Sequence, residues 1–385
     1  MPAIHAFEIY ALDLPFKKPF KHAAADRSSS NSIMLKCITD SGHIGFGESL
    51  PREYVTGETR DESFLLLRNH ILPKLIGREF QSQSELTAFL KECDGKAPSD
   101  WLDPETPQTA AWAAVDLALL DGFGNAFNQP IRLNDSPLDN NLRYSAVFSA
   151  DRGWKAVKSL LIYRLFGFKA IKLKVESTTE AAIHTAELCR RIMGPGCDIR
   201  VDANMAWDQE TAIETMQRLS EYGVRSFEQP LRADDLEGLA RLIRETGLEV
   251  MADESVNDDP SLLRLIQTKS CSSVNIRISK CGGLIGALNR CEKALAAGLK
   301  VQVGCQVGET SLLSAAQLVL IAAVHQVTYA EGCFGLHLLR TDPVQPLMQF
   351  GYGGRAPSFP EGPGFGVKVD EKILSRYCSD HANIR

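Results

Sequence analysis

The sequence predicts an α/β protein in two parts, a parallel (β/α) barrel preceded by an α+β domain. Three observations carry this. From about residue 142 to 330, eight apolar strand-like runs alternate with seven helical runs, the size and rhythm of a closed barrel. Before about residue 130 the order differs, with strands first and helices afterwards, as in an α+β unit. Five charged residues, Lys174, Asp202, Glu228, Asp253 and Lys280, end five successive runs at gaps of 28, 26, 25 and 27 residues. Each gap holds one strand, one helix and two loops.

The elements follow in order. IHAFEIYALDLPF and NSIMLKCITD are β-rich, and SGHIGFGES is a glycine-punctuated turn into another short strand. Between them FKHAAADRSSSNS reads as a polar, small-residue loop, and LPREYVTGET reads as a second loop. Helices are expected over 61–75, 83–93 and 109–123, the last strongly helix-forming and ending at Gly122 and Gly124. The barrel strands are LRYSAVF, AIKLKV, IRVDAN, VRSFEQP, LEVMADE, SSVNIRIS, LKVQVGC and VTYAE. Helices over 154–166, 178–193, 209–222, 236–246, 260–268, 283–297 and 312–324 separate them. Near-continuous apolar strands suit a sheet buried on both faces. A doubly wound open sheet is the competing architecture, and eight regular units favour closure. The tail from about residue 338 is rich in Gly and Pro, cannot continue the barrel, and is expected to return to the first domain.

Bulk properties narrow the function. The 385 residues are too many for one ordinary core. A net charge of −6 with no basic run argues against nucleic acid as a partner. The run 312–324 is shorter than a membrane span and reads as a buried helix. MPAIHAFEIY shows no signal-peptide pattern. Ten cysteines without a CxxC pair suit reduced, buried thiols. A cytoplasmic enzyme is expected.

Catalytic groups of such a barrel sit at the C-terminal ends of its strands, where all five charged residues fall. Asp202, Glu228 and Asp253 lie on the third, fourth and fifth strands. One such acid alone reads as a helix cap or an ion-pair partner. Three neighbours cannot all stay ionised without a cation, and hard oxygen ligands select Mg²⁺, or Mn²⁺, over zinc. Lys174 on the second strand and Lys280 on the sixth are four strands apart, so the two amines are expected to face each other across the metal. Lys172 shares the face of Lys174, and crowding two ammoniums beside a divalent ion is expected to lower a lysine pKa. A carboxylate bound to the ion has an acidified α-proton, which either lysine can remove or return. Racemisation or epimerisation, β-elimination and cycloisomerisation are the possible outcomes.

KLK, VDAN, EQP, ADES and KCGG, behind a strand-and-helix domain, resemble the enolase superfamily, and most nearly its muconate-lactonizing subgroup in the mandelate racemase/muconate lactonizing enzyme family. The resemblance covers nearly the whole chain, including the ending PEGPGFGVKVDEKILSRY. It implies a modified TIM barrel, (β/α)7β, capped by an N-terminal α+β domain that the C-terminal tail completes: cap 1–130, barrel 140–335, returning segment 338–385. It implies Asp202, Glu228 and Asp253 as Mg²⁺ ligands, Lys174 and Lys280 as the acid/base pair, and Lys172 as their helper. The activity implied is abstraction of a proton α to a carboxylate through an enediolate, by an isomerase (cycloisomerase or racemase/epimerase) acting on a small carboxylic acid. A homo-oligomer is also expected. Substrate contacts are assigned to Arg27 and Tyr54 in the cap loops, to Asn204, to Cys305 with Gln306 and Glu309 after the seventh strand, and to Glu331 after the eighth. Dipeptide epimerases carry Asp-x-Asp at that last place, whereas this chain has Glu331-Gly332-Cys333. The rival readings are a lyase of the same superfamily (an o-succinylbenzoate synthase or dehydratase), a dipeptide epimerase, a Schiff-base aldolase and a catalytically silent metal-binding barrel. GGLIG at 282–286 reads as a phosphate turn or as tight packing. No GxxxxGK[ST], HExxH or GxSxG is present.

Overall fold

The computed structural model describes all residues except 23, 24, 140, 150–152 and 176, and the side chains of 20–22, 25 and 26. The cap contains β1 (Ile4–Leu12), β2 (Pro15–His22), β3 (Ala25–Ser29), β4 (Ser32–Thr39) and β5 (Ile44–Ser49). Helices α1 (Glu53–Thr56), α2 (Arg60–Leu66), α3 (Gln83–Cys93) and α4 (Thr109–Ala126) follow. The barrel runs β6 (Ala146–Phe148), α5 (Trp154–Leu165), β7 (Ala170–Lys174), α6 (Thr179–Met193), β8 (Asp198–Asp202), α7 (Gln209–Ser220), β9 (Ser226–Glu228) and α8 (Leu236–Thr246). It continues with β10 (Glu249–Ala252), α9 (Asp259–Thr268), β11 (Ser273–Ile276), α10 (Gly283–Ala296), β12 (Lys300–Val303), α11 (Ser311–Ala323) and β13 (Val327–Ala330). The tail holds α12 (Gly335–Leu338), β14 (Val344–Gln345), β15 (Lys368–Val369), α13 (Glu371–Tyr377) and β16 (Cys378–Ile384).

Strands β6 to β13 form one eight-stranded parallel sheet in sequence order. A parallel bridge between Tyr144 and Ala330, with Ser145 N donating to Ala330 O at 2.9 Å, closes it. The cap sheet has the order β16-β1-β4-β5, so the last strand of the chain lies antiparallel to the first. No helix among the described residues is long and apolar enough to cross a membrane.

Three elements differ from expectation. FKHAAADRSSSNS is not a loop: β2 and β3 make an antiparallel ribbon from it, residues 23 and 24 lying outside the described set. The two strands pair with each other and meet the tail through a bridge between Phe16 and Leu339, contacts that leave no regular alternation in the sequence. The helix expected over 61–75 stops at Leu66 and continues as a π-turn (Leu67–Ile71) and a 3₁₀ turn (Leu72–Lys74). Pro73 explains the break, because its ring clashes with the carbonyl one turn back and it offers no N–H. Helix α4 runs through Gly122 and Gly124 to Ala126. Neither stops the helix; Gly124 is a packing residue, since its Cβ would lie 2.9 Å from Gly364 Cα, and beside Gly122 the close approach is made by β5. A Cβ on Gly45 of β5 would fall 1.9 Å from Gly122 N, and one on Gly47 would fall 2.0 Å from Ala114 O.

Helix α4 is the pillar of the cap. Trp112, Leu117, Leu119, Leu120 and Phe123 are all buried, each worth about 1.5–3 kcal/mol of burial. Glu58 caps its start by accepting from Ala110 N (2.7 Å) and Ala111 N (2.9 Å). The cap is bolted to the barrel mouth by buried hydrogen bonds. Thr310 donates to Glu48 from N (3.0 Å) and Oγ1 (2.7 Å), Ser279 Oγ accepts from Leu50 N at 2.8 Å, and Arg52 donates to Ser30 O and Val307 O. GGLIG belongs to this joint. A Cβ on Gly282 would lie 1.9 Å from Gly95 O, which settles that motif as close packing.

Candidate active site

The pleat of β7 buries Ile171 and Leu173 among apolar side chains and sends Lys172 and Lys174 to the opposite, inner face. Register then aligns the charges. Lys174 pairs with Asp202, and Asp202 with Glu228, across three neighbouring strands. Glu228 is level with Met251, and Asp253 follows two residues later on the same face. Lys280 lies in the turn beyond β11. Its buried ammonium donates to Asp253 O (2.6 Å), Asp253 Oδ1 (2.8 Å) and Asn275 O (2.8 Å). Lys174 Nζ is 3.7 Å from Asp202 Oδ2 at the other end. The row of three acids is therefore bracketed by the two lysines.

Lys172 sits among carboxylates. Its ammonium lies 2.6 Å from Glu331 Oε2, 3.2 Å from Glu228 Oε2 and 3.6 Å from Asp202 Oδ2. Burial works to lower its pKa, but Glu228, Glu331 and Asp202 outweigh it and hold the ammonium well above the ordinary lysine range. These three carboxylates favour the charged form of Lys172. Lys280 moves the other way, to about 7, chiefly through burial and secondarily through the Arg277 charge. Burial also tends to raise Glu228, but Lys172, Arg277 and Arg200 hold it down at about 2. Asp202 is raised by burial and by repulsion from Glu228.

Glu331 lines the cavity and is held by the barrel itself. Its second oxygen accepts from Arg200 Nη2 at 2.7 Å, so both oxygens serve the barrel's own cations. Arg200 is level with Lys172 on the next strand and also donates to Ser145 Oγ at 3.2 Å. Arg277 Nη2 touches Asp253 Oδ2 and stands 3.8 Å from Glu228 Oε1, while Nη1 donates to Gln306 Oε1 at 3.0 Å. The cations Lys172, Lys174, Arg200, Arg277 and Lys280 face the carboxyls of Asp202, Glu228, Asp253, Glu254 and Glu331.

A cavity of about 570 Å³ opens over this network. Among its lining residues are Lys172, Lys174, Asn204, Tyr54, Cys305, Gln306 and Glu331, all named from the sequence. Asn204 Oδ1 accepts from Lys174 Nζ at 3.2 Å and sits at a positive φ of 45°. Asp202, Glu228, Asp253 and Lys280 are not among the lining residues; they are buried behind them. Arg27 does not line the cavity either. It is half-buried on β3, opposite Phe20, and Lys18 of β2 is the ribbon residue that reaches the cavity. Glu309 turns back to accept from Gln306 N, and burial raises its pKa to about 8. Sequence reasoning missed Glu254, Arg277, Arg200, Lys18 and His337, and also an apolar wall that includes Phe166, Phe168, Phe334 and Phe350. Arg200 was within reach of the parity argument, since it lies two residues before Asp202 on one strand.

Among the described residues no three acidic, histidine or cysteine side chains are grouped closely enough to grip a metal as they stand. The donor set nevertheless fits a hard cation. Asp202 Oδ2 and Asp253 Oδ2 are buried without a hydrogen-bond donor, the latter touching Arg277 without hydrogen-bond geometry. A buried acceptor left so costs about 1–3 kcal/mol.

Two family models match the chain: the mandelate racemase/muconate lactonizing enzyme N-terminal domain over residues 6–133, and the enolase C-terminal domain-like model over 156–373. The chain belongs to the mandelate racemase/muconate lactonizing enzyme family of the enolase superfamily. It is an enzyme of that superfamily, and the capped barrel is the superfamily's fold. Its relatives include the N-succinyl-L-Arg/Lys racemase of Bacillus cereus, 28% identical over 96% of both chains. The crystal structure of that racemase superposes with a TM-score of 0.88 at 26% identity over 100% of both chains. The L-Ala-D/L-Glu epimerase of Clostridium acetobutylicum is 29% identical over 80% of this chain and 84% of its own. The dipeptide epimerase of Cytophaga hutchinsonii, solved with Mg and the dipeptide D-Ala-L-Val, has a TM-score of 0.85 at 25% identity over 100% of both chains. Cycloisomerases and an o-succinylbenzoate synthase are also relatives, so the resemblance read from the strand ends is borne out.

Proposed function

We propose that the protein is a Mg²⁺-dependent racemase or epimerase that removes the proton α to a carboxylate and returns one to the opposite face. The observation that carries this is the bracketing of one acid row by two lysines, Lys174 at Asp202 and Lys280 at Asp253. Asp202, Glu228 and Asp253 would hold the ion, whose positive charge lowers the cost of forming an α-carbanion beside a carboxylate. The unsatisfied oxygens of Asp202 and Asp253 and the Mg in the Cytophaga epimerase structure support that assignment. Lys174, on the cavity wall, takes or gives the proton on its side. Lys280 serves the other side; it is one side chain back and must release Asp253 to do so. Lys172 stays charged and steadies the developing negative charge. Asn204 fixes Lys174, and Tyr54 closes the cavity from the cap.

The substrate we infer is an N-acylated amino acid. Glu331 has both oxygens committed to Lys172 and Arg200 and does not hold a free substrate ammonium, which an acylated nitrogen lacks. The printed activity of the Bacillus cereus relative is in line with this. We further propose a cytoplasmic location and a homo-oligomer. Ten unpaired cysteines support the first, and exposed Trp154, Leu161, Ile162 and Leu165 on α5 support the second.

The test is deuterium uptake at the α-carbon in D₂O with Mg²⁺, across a panel of N-succinyl-amino acids and dipeptides. Wild type should exchange at least one of them, and the Lys174→Ala, Lys280→Ala double variant none. Exchange persisting in the double variant would sink the proposal.

A further inference from the structure

Resident cations already stand against the acid row, so a divalent cation entering it competes with them for the same carboxylates. The five resident cations are not equally fixed. Lys280 is tied to two backbone carbonyls, and Lys172 and Arg200 are locked to Glu331. Lys174 stands at the end of the row, beside Asn204.

Arg277, like Lys172, stands between two of the acids, but unlike Lys172 it is not also held by Glu331. Its Nη2 lies against Asp253 Oδ2 and 3.8 Å from Glu228 Oε1. Its buried Nε has no acceptor. Its other arm already points away, donating to Gln306 Oε1 at 3.0 Å beside the cavity that both residues line. Charge holds this guanidinium in the acid row, with little directed hydrogen bonding there, and an exit lies next to it.

We propose that Arg277 is the resident counter-ion of the acid row and competes with the divalent cation for it. When the ion enters, the guanidinium leaves Asp253 and Glu228 and turns to Gln306 and the cavity. Ion affinity is then set partly by the cost of moving Arg277, as for any ligand that binds a minor conformer. The inference rests on the metal assignment above.

The experiment is calorimetric titration of chelator-treated protein with Mn²⁺, checked by Mn²⁺ electron paramagnetic resonance and by thermal melting with and without Mg²⁺. Arg277→Met should bind Mn²⁺ about tenfold tighter than wild type or better, because a competing charge has gone. Without ions it should melt lower than wild type, and saturating Mg²⁺ should close the gap. A residue that merely supported the fold would not tighten ion binding when removed. Should the Met variant lose its cooperative melt, Arg277→Gln, which keeps a partner for Gln306, carries the same expectation. If wild type binds Mn²⁺ and the variant binds it equally or more weakly, the inference fails and the metal assignment stands. If neither binds it, both fail.

Discussion

At the residue scale, the two lysines that bracket the acids should respond differently to removal. Lys174 is on the cavity wall and is not fully buried, whereas Lys280 is fully buried against Asp253. Lys174→Ala should lower α-proton exchange by about 10²–10⁴-fold and leave the urea midpoint close to wild type. Lys280→Met should lower exchange and also stability, by about 1–3 kcal/mol in urea unfolding, because it removes the hydrogen-bonded partner of Asp253 Oδ1 and leaves Asp253 with Arg277 alone. Equal stability losses in the two would contradict this placement. The strand-end position of these charges was legible because the pleat and the repeat spacing fix which residues reach the barrel mouth. Their partners were less so. Arg200 and Lys172 face Glu331 across a closure that joins the ends of the barrel. That pairing depends on three-dimensional proximity between residues 131 positions apart. The same proximity sets three carboxylates around Lys172, which favour its charged form.

At the element scale, the barrel strands and helices announced themselves because alternating βα units repeat one pattern. The cap was harder, since its pieces are defined by neighbours rather than by period. The β2–β3 ribbon shows no regular alternation in the sequence, Pro73 hides a π-turn inside a helical pattern, and the glycines of α4 and β5 look like breakers. Their real task is close approach. Gly47→Ala would put a Cβ 2.0 Å from Ala114 O, and backbone cannot swing aside as a side chain can. It should cost at least about 1–3 kcal/mol, read as a lower urea midpoint. Gly42→Ala provides the contrast. No atom lies within 4 Å of its Cβ, so its cost is confined to the strain of a positive φ of 82°. An equal or larger loss at Gly42 would show that packing is not what Gly47 serves.

At the scale of the whole molecule, the cap is seated on the barrel through buried acids. Glu48 meets Thr310, and Asp116 accepts from Leu284 N at 2.7 Å. Burial raises Glu48 to about 8, with Glu309 and Asp342 adding repulsion, and raises Asp116 to about 7. A carboxyl whose folded pKa lies above its unfolded value holds a proton that the unfolded chain releases. Its contribution is therefore present at low pH and is lost as pH rises from the ordinary carboxyl range through the folded value. The melting temperature should fall between pH 6 and pH 8.5, and Glu48→Gln should flatten that slope; a midpoint that rises over this range would contradict it. The two-part architecture was legible in the sequence, but this joint was not, because Glu48 and Thr310 are 262 residues apart. The same assembly of strands places Lys174 and Lys280 at opposite ends of one acid row, and that is the central claim. Its most direct measurement is deuterium exchange of each enantiomer of an exchanging N-succinyl-amino acid, followed separately in Lys174→Ala and Lys280→Met. Each variant should lose exchange with one enantiomer and keep it with the other, in mirror fashion. Loss of the same enantiomer in both variants would show that the two lysines do not serve opposite faces.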